Sequence, residues 1–463
     1  MIQLPSQVHS VLRRLNAAGF EACIVGGCVR DMLLGRSPGD YDIATSARPE
    51  ETAAVFAGER IIETGLKHGT VTLLLDGMPL EVTTFRVDGA YTDARHPDAV
   101  SFTRSLREDL ARRDFTMNAI AWSGDGGLAD PFGGEADIRA KRIRCVGRPG
   151  DRFREDALRI LRCLRFSAVL GFTVDPATAA AARENRELLR RISAERVADE
   201  LKKLVCGTDV RRVVLDETDI LGVVLPELLP MRGFDQRSPY HCYDILEHCA
   251  AVCEAVPPEP VLRMAALLHD VGKPDCFFIG DDGLGHFYGH ARRGAELVDP
   301  LLRRLRFDNE SRERITSLVR LHDTHIEPTE KGVLRALRRF GPEFFFQLTA
   351  LKRADALAHA PGPSREDRLE RAAALETLGH ALLEHNACFS LRDLAVSGRD
   401  LLAAGYVPGP AVGQALETLL DAVTDGRVSN EKEALLAYLA EQAPETASAS
   451  AHDGQETENP SAQ

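Results

Sequence analysis

No run of 18 apolar residues occurs in this chain, and that excludes a membrane-spanning helix. Nor do the ten cysteines include a Cys-x-x-Cys pair, which removes the usual thiolate metal or dithiol redox site. Their scatter indicates a reduced, cytoplasmic protein, with Cys249 and Cys253, one helical turn apart, read as packing residues. An internal repeat is also lacking, so a stacked-repeat architecture is not expected. Finally, there is no basic excess: the formal net charge is −13, which argues against a chain coated in nucleic acid. RNA would have to bind through local arginine clusters at 104–113, 152–165 and 303–306, each of which also suits a solvated helix face.

What is present bounds the architecture. A chain of 463 residues holds two to four domains with real cores. The first twenty residues read as an amphipathic helix entering the fold and not as a signal peptide. Ile24-Val25 reads as the end of a buried strand, and Gly26-Gly27 lets backbone approach a ligand closely. Val29 to Leu34 reads as a short helix stopped by Gly35, its start aimed at an anion such as a phosphate. After the turn Pro38-Gly39, Asp40 and Asp42 alternate with Tyr41 and Ile43, so both carboxylates share one strand face. A phosphate cradle beside paired carboxylates for hard divalent cations is equipment for phosphoryl transfer.

The order Gly26-Gly27, then Asp40-x-Asp42, resembles the nucleotidyltransferase superfamily that includes DNA polymerase beta. The fuller text Gly-Gly-Cys-Val-Arg-Asp resembles the bacterial CCA-adding enzymes and their poly(A) polymerase relatives. The resemblance implies that Asp40 and Asp42 hold Mg²⁺, and that Gly27 and Arg30 bind the triphosphate. Residues 1–147 read as the α+β catalytic domain, with strands at 69–76 and 80–85 joined by a hairpin at Gly77-Met78-Pro79. Glu81 alternates with apolar neighbours in the second strand and is the candidate third carboxylate. The polar stretch 88–98 reads as a loop, mobile in the family and near the reacting ends. Arg113-Asp-Phe-Thr-Met-Asn118 stands where the family has Arg-Asp-Phe-Thr-x-Asn. There Arg113 would touch nucleotide or hold the loop, Asp114 would orient it, and Asn118 would support the first strand.

From residue 148 the character turns helical. Over 154–168 a helical wheel gives a narrow apolar stripe of Ala157, Leu161, Leu164 and Ala168, with Asp156, Arg159 and Arg162 opposite and Arg165 near the core edge. Asp156 and Arg159 at i, i+3 suit a simple helical ion pair. They also suit base reading: a carboxylate accepts from the amino group of C or A while a guanidinium donates to the adjacent ring nitrogen. U and G place a carbonyl and a ring N–H at those positions and would be rejected. The resemblance implies the second role, with Arg162 and Arg165 contacting nucleotide or phosphate. Glu195-Arg196 to Glu200 resembles the next family motif, which braces that helix.

A second constellation spans 233–360. Glu247-His248, Leu268-His269-Asp270 followed by Gly272 and Pro274, and His322-Asp323 look like the HD-domain signature. By that resemblance His248, His269, Asp270 and Asp323 bind a metal, and such ligands suit Mn, Ni or Zn. His286, His290 and His322 read as flanking residues. Segments of 361–443 match the C-terminal tRNA-binding region of the family, and 444–463 is expected to be disordered.

The fold expected is therefore an α+β nucleotidyltransferase sheet domain (1–147), a helical nucleotide-selecting neck (148–232), an HD-type helical domain (233–360), a helical tRNA-binding region (361–443) and a tail. The activity expected is addition of C and A to tRNA 3′ ends from CTP and ATP, releasing pyrophosphate. Poly(A) synthesis, partial CC or A addition, or primarily HD phosphohydrolysis with an RNA-binding front module stay open at this level. Oligomeric state is not encoded in any motif.

Overall fold

The computed structural model describes residues 4–62, 69–89, 100–124, 127–385 and 387–442. Most of the expected 88–98 loop and the whole 444–463 tail lie outside the described residues. Tertiary contacts divide the chain into two compact units. One comprises Met1–His322 with Ala354–Pro361, and the other Asp323–Arg353 with the residues from Gly362 onward.

In the first unit a seven-stranded sheet is built around β1 (Ala22–Val25), whose four residues are all buried. It lies antiparallel to β2 (Asp42–Thr45), reached through the helix Gly27–Leu33. β3 (Arg60–Ile62), β4 (Thr70–Leu75) and β5 (Met78–Thr84) extend one side, giving the order β3-β4-β5-β2-β1. β6 (Arg86–Asp88) and β7 (Val100–Phe102) form a separate ribbon. β8 (Ala121–Trp122) and β9 (Leu128–Ala129) complete the sheet beyond β1. In β4, Val71, Leu73 and Leu75 point into the core at period two.

The hairpin between β4 and β5 turns earlier than the sequence suggested. Asp76 (φ 48°) and Gly77 (φ 81°) are its two central residues, so Met78 and Pro79 already belong to β5. Two successive positive φ values are what a two-residue type I′ turn requires, and Asp-Gly supplies them at low cost.

Past the sheet the first unit is helical. Leu158–Leu170 packs along Ala194–Val205, and further on Pro260–Leu268 packs between Ile245–Ala255 and Asn309–Leu321. The expected stripe of Ala157, Leu161, Leu164 and Ala168 is fully buried. The continuous helix over 154–168 is not what forms. Pro149–Glu155 ends at Asp156, which adopts an extended backbone (φ −141°, ψ 104°), and a new helix starts at Leu158. The Asp156 carboxylate accepts from the Leu158 N–H at 3.1 Å, a side chain bonding its own backbone two residues on at the point where the first helix stops.

The second unit is held by two apolar clusters. Val333, Leu337, Phe345 and Leu375 form one, and Leu401, Leu419, Leu420 and Leu435 the other.

Candidate active site

A cleft of about 430 Å³ opens where β1 and β2 meet the helix Leu158–Leu170. Gly26 begins it, with φ 77° and ψ −130°, a conformation that side chains avoid. A Cβ at Gly26 would stand 2.8 Å from Arg113 Nη1 and 3.9 Å from Asp42 Oδ2. The glycine therefore lets the Arg113 guanidinium close over the turn. Gly27 and Arg30 follow on the same wall, with Asp40 and Asp42 opposite.

Asp40 precedes β2 and Asp42 is its first residue, both solvent-facing at the cleft. Glu81 does not line the cleft, but β5 runs parallel to β2 in a register that sets Glu81 beside Asp42. Loss of hydration and then the charge of Asp40 raise the Asp42 carboxyl above its ordinary value, with Glu81 adding to the rise and Arg113 opposing it. Neighbouring carboxylates, all oxygen donors, suit a hard divalent cation such as Mg²⁺.

The other wall is cationic. Arg30, Arg112, Arg113, Arg159, Arg162, Arg165 and Arg196 all line the cleft, although the chain as a whole is acidic. They are held by a connected set of acids and amides. Arg30 donates to Asn118 Oδ1 at 2.8 Å, and Asn118 donates to Asp114 Oδ1 at 3.1 Å. Asp114 pairs with Arg162 at 2.7 Å, and buried Glu200 takes Arg165 at 2.8 Å. Burial alone would raise Asp114, but the Arg162 charge and the Asn118 and Arg162 hydrogen bonds outweigh it and hold the carboxyl at about 2. Arg30, Arg162 and Arg165 also surround the Phe166 ring, at 5.1, 5.5 and 4.0 Å from its centroid.

Two expectations about this wall need correction. Asp114 does not orient Arg113: its partners are Arg162 and Asn118, whereas Arg113 and Arg112 both lie against buried Asp109, at 3.4 and 2.8 Å. Asp156 and Arg159 do not form a helical ion pair either. The break at Asp156 turns its carboxylate to Arg196 at 2.7 Å, while Arg159 is buried and bonded to Glu155 at 2.7 Å and to the Arg112 carbonyl at 3.0 Å. Both still reach the cleft together with Gly27, Arg30, Arg113, Arg162 and Arg165. Sequence reasoning missed Arg112 and Phe166 as lining residues, because their roles depend on the fold bringing the 112–118 segment against the helix. At 303–306 the arginines are paired with acids: Arg303 with Asp299, Arg304 with Glu227 and Arg306 with Glu195.

The histidine constellation forms a separate buried cluster in the same unit. His248, His269 and Asp270 converge, and so do Asp270, His290 and His322. Asp323 is exposed and joins no such group among the described residues. The carboxylate near His248 is Asp355, 3.0 Å from its Nε2. The helix Asn309–Leu321 ends so that His322 faces inward, which turns the next residue, Asp323, to solvent. Asp355 and His359, four residues apart in the sequence, both reach His248. His286 stands apart, paired with Asp282 at 3.0 Å. Burial on its own lowers the imidazole of His290, but its hydrogen bond to Asp270 raises it above the ordinary value.

Comparison with known proteins places the chain. The CCA-adding enzyme of Geobacillus thermodenitrificans is 36% identical over 446 residues, covering 94% of this chain and 96% of its own length. This protein belongs to the CCA-adding enzyme family. It is thus a nucleotidyltransferase, and the CCA-adding enzyme of Levilactobacillus brevis is similar too, 35% identical over 92% of this chain and 95% of its own. Residues 22–144 match the poly(A) polymerase head domain, 171–231 the probable RNA- and SrmB-binding site of polymerase A, and 293–439 a putative second domain of tRNA nucleotidyltransferases. Among solved structures, the Bacillus stearothermophilus CCA-adding enzyme in complex with CTP shares 32% identity, with a TM-score of 0.68 over 95% of this chain and 98% of that one. The Thermotoga maritima CCA-adding enzyme complexed with tRNA shares the fold, with a TM-score of 0.56 at 19% identity over 95% of this chain and 96% of that one. Among the described residues no helix is long and apolar enough to cross a membrane.

Proposed function

We propose that this CCA-adding family member, acting in the cytoplasm, completes tRNA 3′ ends by adding C and A from CTP and ATP without a nucleic-acid template. The observation that carries the reading is that one cleft joins the Asp40–Asp42 carboxylates to Asp156 and a wall of arginines. Asp40 and Asp42, with Glu81 alongside, would hold Mg²⁺, which when bound favours attack by the terminal hydroxyl and neutralises the triphosphate. The hydroxyl oxygen bonds to the α-phosphorus, the bond to the β-phosphate oxygen breaks, and pyrophosphate leaves. Arg30 and Arg113 face the phosphates across the Gly26-Gly27 turn.

Asp156 and Arg159 select the base. Arg196 and the Leu158 N–H fix the plane of the Asp156 carboxylate, and a carboxylate keeps further lone pairs for a base amino group. Arg159 is steadied by the carbonyls of Arg112 and Arg152 and by Glu155. Pre-positioned donors and acceptors discriminate well because a wrong base leaves them unpaired.

The test is extension of a tRNA that ends at its discriminator base, with each nucleoside triphosphate alone and in combination. Addition of C and then A is expected. Runs of A would instead indicate a poly(A) polymerase, and addition of only C or only A a partial enzyme. Asp40→Ala should abolish incorporation, and Asp156→Ala should keep some activity while losing discrimination against UTP and GTP. Unchanged selectivity in Asp156→Ala would sink the base-reading assignment.

A second reading concerns the buried histidines. His248, His269, Asp270 and Asp355 offer two imidazoles and two carboxylates to one divalent transition ion such as Mn, Ni or Zn. His269 Nε2 is fully buried with no hydrogen-bond partner, a donor atom waiting for a cation. Such a site supports phosphohydrolysis beside the nucleotidyltransferase reaction.

A further inference from the structure

Resting on the reading that the cleft takes CTP and ATP, we infer that Phe166 is a positioning residue of the triphosphate site, gathering Arg30, Arg162 and Arg165 around its ring. Phe166 stands on the helix Leu158–Leu170 and is only 5% exposed, yet it lines the cleft. The guanidinium carbons lie 4.0 Å (Arg165), 5.1 Å (Arg30) and 5.5 Å (Arg162) from the ring centroid. Arg162 and Arg165 share its helix, whereas Arg30 arrives from the helix Gly27–Leu33 that follows the glycine turn. Fully buried Phe115 meets the ring edge to face at 5.9 Å and 85°, which fixes its tilt.

Three guanidiniums brought this close repel one another. Burial, with the charges of Arg162 and Arg30 adding to it, makes Arg165 a weaker base than a free arginine, and Glu200 and Asp114 oppose that shift. The closest carboxylates do not draw the three together, because each serves a different arginine. Asp31 takes Arg30 at 2.8 Å, Asp114 takes Arg162 at 2.7 Å and Glu200 takes Arg165 at 2.8 Å. What all three cations share is the ring of Phe166.

A ring suits that shared position better than a further carboxylate would. An acid gathers cations by cancelling charge that a triphosphate needs. The π face attracts them through its quadrupole and adds no net charge. A guanidinium stacked on a ring also keeps its in-plane N–H donors for bidentate contact with phosphate oxygens. The effect of Phe166 therefore falls on the phosphates of the bound nucleotide and not on its base, which Asp156 and Arg159 read. Leu at this position would keep apolar filling against Phe115 and remove the π face.

Steady-state extension of a tRNA ending at its discriminator base, by the full-length chain, tests this with Phe166→Leu and Phe166→Tyr. In the Leu variant the KM for CTP should rise about tenfold. The inhibition constant of pyrophosphate, which carries phosphates and no base, should rise by a similar factor. The kcat, the KM for tRNA and the preference for CTP over UTP should stay within about twofold of the parent. Phe166→Tyr keeps the π face and should hold both phosphate-dependent constants within about threefold. Phe166→Met takes the place of the Leu variant should that one fold poorly by circular dichroism. Unchanged KM and pyrophosphate inhibition in a folded variant overturn the role of Phe166. So do equal losses in the Leu and Tyr variants, or a lost base preference with pyrophosphate inhibition unchanged. Failure of the parent chain to incorporate C overturns instead the nucleotide reading on which that role rests.

Discussion

Gly26 carries a strict steric demand in the nucleotidyltransferase cleft. Its φ of 77° with ψ of −130° is a region that costs other residues about 1–3 kcal/mol, and its missing Cβ is where Arg113 lies. Gly26→Ala should therefore lower nucleotide addition well beyond its modest effect on melting temperature, because Arg113 must withdraw from the turn and from Asp42. Steady-state extension kinetics measured alongside a thermal melt check this. Equal wild-type activity in the variant would show that the close approach is not used. The sequence marked this glycine as special, but only the structure shows that the atom it makes room for belongs to a residue 87 positions later, from 26 to 113.

At the scale of the element, the break between Pro149–Glu155 and Leu158–Leu170 decides how the base-reading residues stand. A wheel drawn through 154–168 assumes one axis, and that assumption failed at Asp156. The apolar stripe was legible because burial follows the period of the second helix, which contains three of its four residues. The partners of Asp156 and Arg159 were not legible, since the extended backbone at Asp156 turns its carboxylate toward Arg196 on a neighbouring helix. Arg196→Ala should leave Asp156 less fixed. The expected result is a loss of discrimination between CTP and UTP with addition of C largely kept, read by single-nucleotide extension. A variant that lost all addition while keeping its selectivity would point to a phosphate contact for Arg196 instead.

At the scale of the molecule, a chain of net charge −13 gathers seven arginines in one cleft, and buried carboxylates make that possible. Asp114 ties the segment after the β6–β7 ribbon to the helix Leu158–Leu170, and Arg162 and Asn118 keep its carboxyl at about 2. A carboxyl depressed in the folded state stabilises above its unfolded value near 3.9, and that contribution is lost as pH falls toward about 2. Asp114→Asn should destabilise the protein at neutral pH by about 2 kcal/mol and flatten the acid limb of its stability curve between about pH 4 and pH 2. Chemical denaturation across that range tests both statements. An acid limb identical to the parent's would show that other carboxyls carry the dependence.

The sequence alone determined the residue types and spacings of chemistry that is local along the chain: two glycines before a short helix, two acids at period two, a His-Asp doublet ending an apolar helix. These follow from backbone geometry over a few residues, where side-chain direction is set by the element itself. The tertiary structure decided which distant groups meet. It put Asp355 rather than Asp323 beside His248, Arg162 rather than Arg113 beside Asp114, and Glu81 beside Asp42 through a parallel strand register. Those pairings depend on helix packing and strand order, and the free energy that fixes them comes from burying side chains far apart in the chain, which no local pattern records.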